Sequence, residues 1–209
     1  MPVVRDQRLI ALHPQPGLPA QGLKLVHQAR TGHGNDFNRH GKGAEPGQYI
    51  AVYDFGGFDR RLYDMAYPAA GDPVLAQRVA GLLSQDGWPV EVDPQRGLDH
   101  GAWVPLMHLF PQADVPVLQV SMPRTLDAAG AVRLGRALAP LADEGVLIVG
   151  SGSITHNLYE IFNGGGEVSP GYAIEFAQWA RRAVQAHDEP GLVNYLSAAP
   201  HARRAHPTP

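Results

Sequence analysis

Several stretches of the chain carry a regular hydrophobic pattern, and glycine, proline or capping residues bound each of them. Residues 72–87 place leucine and valine at helical spacing after an Asp-Pro start, which predicts an amphipathic helix. Two short stretches, the alternating WPVEVD and the β-branched VPVLQVSM, predict strands. Helical spacing returns over residues 127–142, and the four apolar residues 146–149 predict a strand that is covered on both faces.

The order of these elements predicts the fold class. Strands that alternate with helices are typical of an α/β domain, here with a mixed, largely parallel sheet flanked by helices. Tyr172, Phe176 and Trp179 add a long amphipathic helix further on. Residues 1–48 show no comparable pattern apart from a weak GLKLV. We therefore expect one folded domain over residues 49–209, preceded by an atypical, disordered segment.

Composition narrows the classes of function. The 209 residues carry a formal net charge of -3, which provides no basic field for nucleic acid or for an anionic membrane. Cysteine is absent, so any metal ion must be held by histidine and carboxylate groups, and ten histidines are present. No apolar run is long enough to span a bilayer and no signal pattern opens the chain. The sequence therefore predicts a cytoplasmic protein with a small-molecule partner.

Three histidines occupy positions where the predicted fold places loops. His156 follows a predicted strand through the turn GSGSIT, and ligands of open α/β sheets bind at the carboxyl ends of strands. His100 follows Asp99 at a predicted strand-to-helix junction, and His206 precedes a proline that holds it extended. Each also has a structural explanation: His100 as the neighbour of a helix cap, His156 as a first-turn residue, and His206 as part of a frayed terminus.

The glycine turn has a second functional interpretation. GSGSIT after a strand shares letters with the dinucleotide-binding loop, in which glycines let backbone amides approach a pyrophosphate. The third glycine of that motif is missing and the turn comes late in the chain. Nucleotide binding is therefore the weaker hypothesis.

Five motifs in the same order resemble one known family. YDFGGF, YPAAGDP, GLDHGAWVPL, GSGSITHNL and PHARRAHPTP are similar to segments of the 4,5-DOPA extradiol dioxygenases, the class III ring-opening dioxygenases related to the LigB subunit. The resemblance covers about residues 49–209. It implies a LigB-like fold and an enzyme that opens a DOPA-like catechol ring with O2.

The resemblance also implies a site. Members hold one mononuclear non-haem metal ion, Fe(II) or Zn(II), in a shell of nitrogen and oxygen ligands with open positions. By the match of motifs, His156 and His206 are the candidate metal-site histidines and His100 is the candidate acid/base beside the metal. The roles of His100 and His156 are interchangeable at this point, so both count as catalytic candidates. No organic cofactor is implied, and the oligomeric state is not predicted.

The sequence departs from the family pattern at its N-terminus. The family begins with a strand and a Ser-His-Gly-Ser-Pro turn, then a second strand ending in Ser-Ala-His-Trp, and neither occurs here. We expect a domain that is incomplete at both ends and lacks part of its metal shell. Two hypotheses account for this: residues 1–48 are mistranslated, or the chain is a divergent, non-catalytic binding protein of the same fold.

Overall fold

The computed structural model of the protein describes residues 8–14, 23–26, 61, 64–94, 96–123, 125–157, 159–160 and 171–207. These residues form two compact units. The first, here called the sheet unit, contains the described residues up to 125 together with 136–152. The second, the C-terminal unit, contains 126–135 and the described residues from 153 onwards.

A five-stranded sheet forms the centre of the sheet unit, with strand order β3-β2-β4-β1-β5. β1 pairs in parallel with both β4 and β5, β2 pairs in parallel with β3, and β2 is antiparallel to β4. The predicted mixed, largely parallel sheet is therefore confirmed. The strands are β1 (Arg8–Pro14), β2 (Leu23–Val26), β3 (Val90–Asp93), β4 (Val117–Met122) and β5 (Val146–Gly150).

The first helix begins and ends close to the positions that the sequence predicts. Asp72 caps the first helix, because its Oδ1 accepts a hydrogen bond from the Leu75 N–H at 2.8 Å, and Pro73 is the first helical residue. The described helices are α1 (Pro73–Gln85), α2 (His100–Leu109), α3 (Ala128–Leu138), α4 (Pro140–Asp143), α5 (Gly171–Gln185), α6 (Glu189–Val193), α7 (Tyr195–Ala198) and α8 (Ala202–Ala205).

The helix predicted over residues 127–142 is two helices, α3 and α4. Asp127 begins the first, since its Oδ1 accepts from the Gly130 N–H at 2.7 Å. Pro140 has no N–H and cannot continue the hydrogen-bond ladder of α3. The Ala139 N–H instead bonds to the Arg136 carbonyl at 3.3 Å, which tightens the last turn.

Two strands lie in the segment that we expect to be disordered, and one of them, β2, coincides with the weak GLKLV pattern. β1 and β2 fall within residues 1–48, and β1 lies between β4 and β5 in the sheet. The place of β1 in the sheet has no local signal, because its partners are distant in sequence: Leu9 pairs with Val117 and with Leu147. The predicted boundary at residue 49 stays a prediction, and the motif YDFGGF lies outside the described residues.

The strand predicted to be covered on both faces is not. β5 ends the strand order of the described sheet, and the side chain of Leu147 is 48% exposed. Only Val146 of this strand is fully buried. A run of four apolar residues does not distinguish an edge strand from a central one.

Each unit buries its own apolar cluster. In the sheet unit, Trp103 and Leu106 of α2 pack with Tyr67, Leu98 and Val117. In the C-terminal unit, the buried residues of the cluster come from α5 and α8, and they are Tyr172, Phe176, Ala202 and Ala205. The long C-terminal helix that the aromatic spacing predicts is confirmed as α5.

Candidate functional site

His100 is the first residue of α2 and is half-buried in the sheet unit. Asp99 caps this helix, since its Oδ1 accepts a hydrogen bond from the Ala102 N–H at 3.2 Å. The structural role proposed for Asp99 from the sequence is therefore confirmed. This cap fixes the backbone of His100 but does not determine the role of its imidazole.

Asp99 is tied to the middle of the sheet by a reciprocal pair of hydrogen bonds with Gln119 of β4. The Gln119 Nε2 donates to the Asp99 Oδ2 at 2.7 Å, and the Asp99 N–H donates to the Gln119 Oε1 at 3.1 Å. Both residues are fully buried, so the bonds form away from water. The start of α2, and with it His100, is thereby fixed to a central strand.

The other end of α2 is also held by a polar group. The hydroxyl of Tyr67 donates to the carbonyl of Phe110, the residue after the helix, at 3.0 Å. Burial, together with the nearby negative charge of Asp114, raises the pKa of Tyr67 to about 12. The hydroxyl therefore stays protonated and able to donate over the whole physiological range.

In the C-terminal unit, residues 154–157 run beside residues 204–206, and three hydrogen bonds join these two segments. The Asn157 Nδ2 donates to the Arg204 carbonyl at 2.9 Å, and the His156 N–H donates to the Ala205 carbonyl at 2.8 Å. The third bond joins the His206 Nε2 and the Ile154 carbonyl at 2.7 Å. We call this arrangement the clasp, and it brings together the segments that carry His156 and His206.

The imidazole of His206 is half-buried among aromatic rings. Its centroid lies 5.2 Å from that of Phe176 and 5.3 Å from that of Tyr195. Because the Ile154 carbonyl can only accept, the Nε2 of His206 carries a hydrogen. In the neutral ring, Nδ1 then accepts from the Tyr195 hydroxyl at 3.2 Å. Both ring nitrogens are therefore bonded to protein.

An ion pair lies beside the clasp. The Arg204 guanidinium donates from Nε to the Glu160 Oε1 at 2.9 Å and from Nη2 to Oε2 at 3.3 Å. Its Cζ lies 4.1 Å from the centre of the Tyr172 ring, within cation–π distance. The guanidinium of Arg204 holds the pKa of the Glu160 carboxyl below its usual range.

The resemblance implies a mononuclear metal ion, and the described residues do not form a site that fits it. Among them, no group of three or more histidine, aspartate or glutamate side chains lies close enough together to hold an ion. His206 could bind a metal ion only by exchanging one of its two hydrogen-bond partners. His156 has an exposed side chain, and His100 belongs to the sheet unit. Their roles as ligands or acid/base remain predictions.

Sequence reasoning missed the residues that support the histidines. One signal was available: Asn157 and Glu160 have the Asn-x-x-Glu spacing of a helix start, and the Glu160 N–H does donate to the Asn157 Oδ1 at 3.2 Å. No sequence motif marks the pairing of Glu160 with Arg204 or that of His206 with Tyr195.

Similarity to known proteins covers most of the chain. Residues 41–208 match the family described as the catalytic LigB subunit of aromatic ring-opening dioxygenase. The chain is 46% identical over 162 residues to the 4,5-DOPA dioxygenase extradiol of Beta vulgaris, which covers 76% of this chain and 59% of that protein. It is 40% identical over 152 residues to the protein of the same name in Escherichia coli K12, covering 69% of this chain and 54% of that protein.

A solved structure extends the similarity to the fold. The crystal structure of an uncharacterized protein from Escherichia coli K12 matches with a TM-score of 0.66 and 28% identity, covering 98% of this chain and 70% of that one.

The chain spans less than three fifths of the length of the two 4,5-DOPA dioxygenase relatives named above. Within the part of the chain that the structure describes, no helix is both long and apolar enough to cross a membrane.

Proposed function

The chain belongs to the family of the catalytic LigB subunit of aromatic ring-opening dioxygenases, and from this premise we propose that it opens a DOPA-like catechol ring with O2. The observation that carries the proposal is the 46% identity to the 4,5-DOPA dioxygenase extradiol of Beta vulgaris. Identity at this level over 162 residues favours a shared substrate class as well as a shared fold. We also propose a cytoplasmic location, and the net charge of -3 supports a protein without a nucleic-acid partner.

We assign the candidate roles as the family motifs imply them. His156 and His206 would hold one Fe(II) or Zn(II) ion, and His100 would act as acid/base toward the catechol. The clasp supports the first assignment, because the backbone of His156 and the ring of His206 are fixed against the same pair of segments. The described residues do not by themselves complete the ligand set of that ion.

A non-catalytic binding protein of the same fold is the second candidate. It is favoured by the engagement of both His206 nitrogens with protein groups and by the lack of a three-ligand group among the described residues. Metal retention separates the two candidates, because a ring-opening dioxygenase of this family needs its ion for turnover.

The deciding experiment is anaerobic reconstitution of the 209-residue chain with Fe(II), desalting, and measurement of bound iron and of oxygen uptake on adding DOPA. Stoichiometric iron with catechol-dependent uptake supports the dioxygenase. A folded sample that retains neither iron nor activity supports the binding protein. Dinucleotide binding that persists in the presence of a chelator would instead favour the nucleotide-binding hypothesis for GSGSIT.

Single substitutions test the roles in the reconstituted enzyme. We expect His156→Ala and His206→Ala to lower bound iron, and His100→Ala to lower turnover with the iron retained. His108→Ala is the matched control, because His108 is an exposed histidine in the last turn of the same helix as His100. Full activity in all three site variants would overturn the assignment.

A further inference from the structure

Two kinds of contact join the segments that carry His156 and His206. The clasp consists of three hydrogen bonds, and its members Ile154 and His156 are exposed to solvent. Exposed hydrogen bonds open readily, because water replaces each partner at little net cost. The clasp alone would therefore hold the two histidines only loosely.

The ion pair joins the same segments a second time. Glu160 lies three residues beyond Asn157 of the clasp, and the backbone carbonyl of Arg204 is itself a clasp acceptor. The fork of two hydrogen bonds between Arg204 and Glu160 restrains orientation as well as distance. Tyr172, buried in α5, restrains the guanidinium from its other side. Opening the clasp thus requires this charged contact to separate or stretch.

We propose that Arg204 and Glu160 are positioning residues that hold His156 and His206 at a fixed mutual placement. Their importance for catalysis rests on the function proposed above. Arg204 is already engaged by a carboxylate and an aromatic ring, so it acts through the protein rather than by binding substrate directly. It thereby turns an exposed pair of segments into one rigid support for two side chains.

The exposure of the pair makes the proposal testable without unfolding the protein. The side chains of Arg204 and Glu160 are 56% and 30% exposed, and exposed ion pairs contribute little to global stability. The sheet unit offers a matched control: Arg78 donates from Nε and Nη2 to Glu144, with side chains 45% and 37% exposed. Removing either arginine therefore costs a comparable surface contact.

The test compares Arg204→Ala, Arg204→Lys and the control Arg78→Ala in the metal-free protein. Hydrogen exchange of the His156 amide reports on the clasp, and the ring 15N shifts of His206 report on its bond to Ile154. We expect Arg204→Ala to speed exchange of the His156 amide roughly tenfold, as for a local opening, and Arg204→Lys to be intermediate because it keeps the charge but loses the fork. Arg78→Ala should leave both signals unchanged.

Two results would overturn the proposal. One is unchanged exchange and unchanged ring shifts in Arg204→Ala; the other is an equal change in Arg78→Ala, which would indicate general loosening. Neither signal needs metal or substrate, so failure of the proposed function is recognised separately, by the absence of oxygen uptake in the wild-type chain. If the wild-type chain is active, kcat should fall in Arg204→Ala with little change in KM.

Discussion

The two compact units support their candidate histidines with different chemistry. In the sheet unit, His100 follows a carboxyl group that is fully buried and hydrogen-bonded to a fully buried amide, Gln119. In the C-terminal unit, His156 and His206 are held by the clasp and by an ion pair whose arginine is 56% exposed. The first support is buried, and the second is exposed to solvent.

This difference in burial predicts how each support responds to mutation. Removing one member of a buried polar pair leaves the other without its partner and without water, so the whole unit loses stability. Removing one member of an exposed pair lets water replace it, so the loss stays local. The sheet unit should therefore respond to mutation by unfolding, and the C-terminal unit by a change in geometry.

The largest effect is expected for Gln119→Leu. This change deprives the buried Asp99 of a donor to its Oδ2 and an acceptor for its N–H, and we expect a loss of about 2–4 kcal/mol in the free energy of unfolding. Urea denaturation measures it. Asp72→Ala, which removes a half-buried helix cap, is the control and should cost about 1 kcal/mol. A smaller loss in Gln119→Leu than in this control would contradict the expected vulnerability of the buried support.

A smaller effect in the same unit is expected at alkaline pH. The pKa of Tyr67 is raised from 10.0 to about 12 in the folded protein, so its contribution to stability is fully present below pH 10 and is lost as the pH rises toward 12. Unfolding measured across this range should show the loss. Tyr67→Phe should lack the loss of stability between pH 10 and pH 12. An identical pH profile in the variant would be evidence that Tyr67 does not cause the loss.

Tyr195→Phe tests the C-terminal unit. It removes the hydroxyl 3.2 Å from the His206 Nδ1, and we expect a loss of about 0.5–1.5 kcal/mol, less than for Gln119→Leu. The ring 15N shifts of His206 should change at the same time, because Nδ1 loses its donor. A loss as large as that in Gln119→Leu would remove the distinction between the two supports.

The smallest expected effect is that of salt. In about 1 M NaCl the screening length falls to about 3 Å, which weakens exposed ion pairs more than buried contacts. Exchange of the His156 amide should therefore become slightly faster. Exchange of the Ala102 amide, which bonds to the buried Asp99, should not change. Equal sensitivity of the two amides would show that the supports do not differ in exposure to solvent.

Local pattern predicted the parts of the fold that depend on near neighbours. The start of α1 follows from Asp72 and Pro73, and β4 follows from its β-branched residues. β1 contains the apolar run LIAL, but its place between β4 and β5 could not be predicted in this way, because that place depends on pairing with strands far along the chain. The exposed edge position of β5 depends on the same pairing.

The candidate site shows the same division. The helix cap at Asp99 could be inferred from local sequence and the candidates His156 and His206 from family motifs, but the contact between the two segments could not. The bond from His156 to Ala205 and the pair between Arg204 and Glu160 each join residues that are far apart in sequence. Spacing carries no information about such contacts until the chain has folded.

The position of β1 has a consequence for the synthesis of the protein. β1 leaves the ribosome early, yet both of its neighbours in the sheet, β4 and β5, are made late. At a synthesis rate of about 5–20 residues per second, β1 waits on the order of ten seconds before its partners emerge. During that time its backbone donors and acceptors are unpaired, and bare strand edges are sites of aggregation. The yield of folded protein should therefore depend on how well chaperones shield the nascent chain.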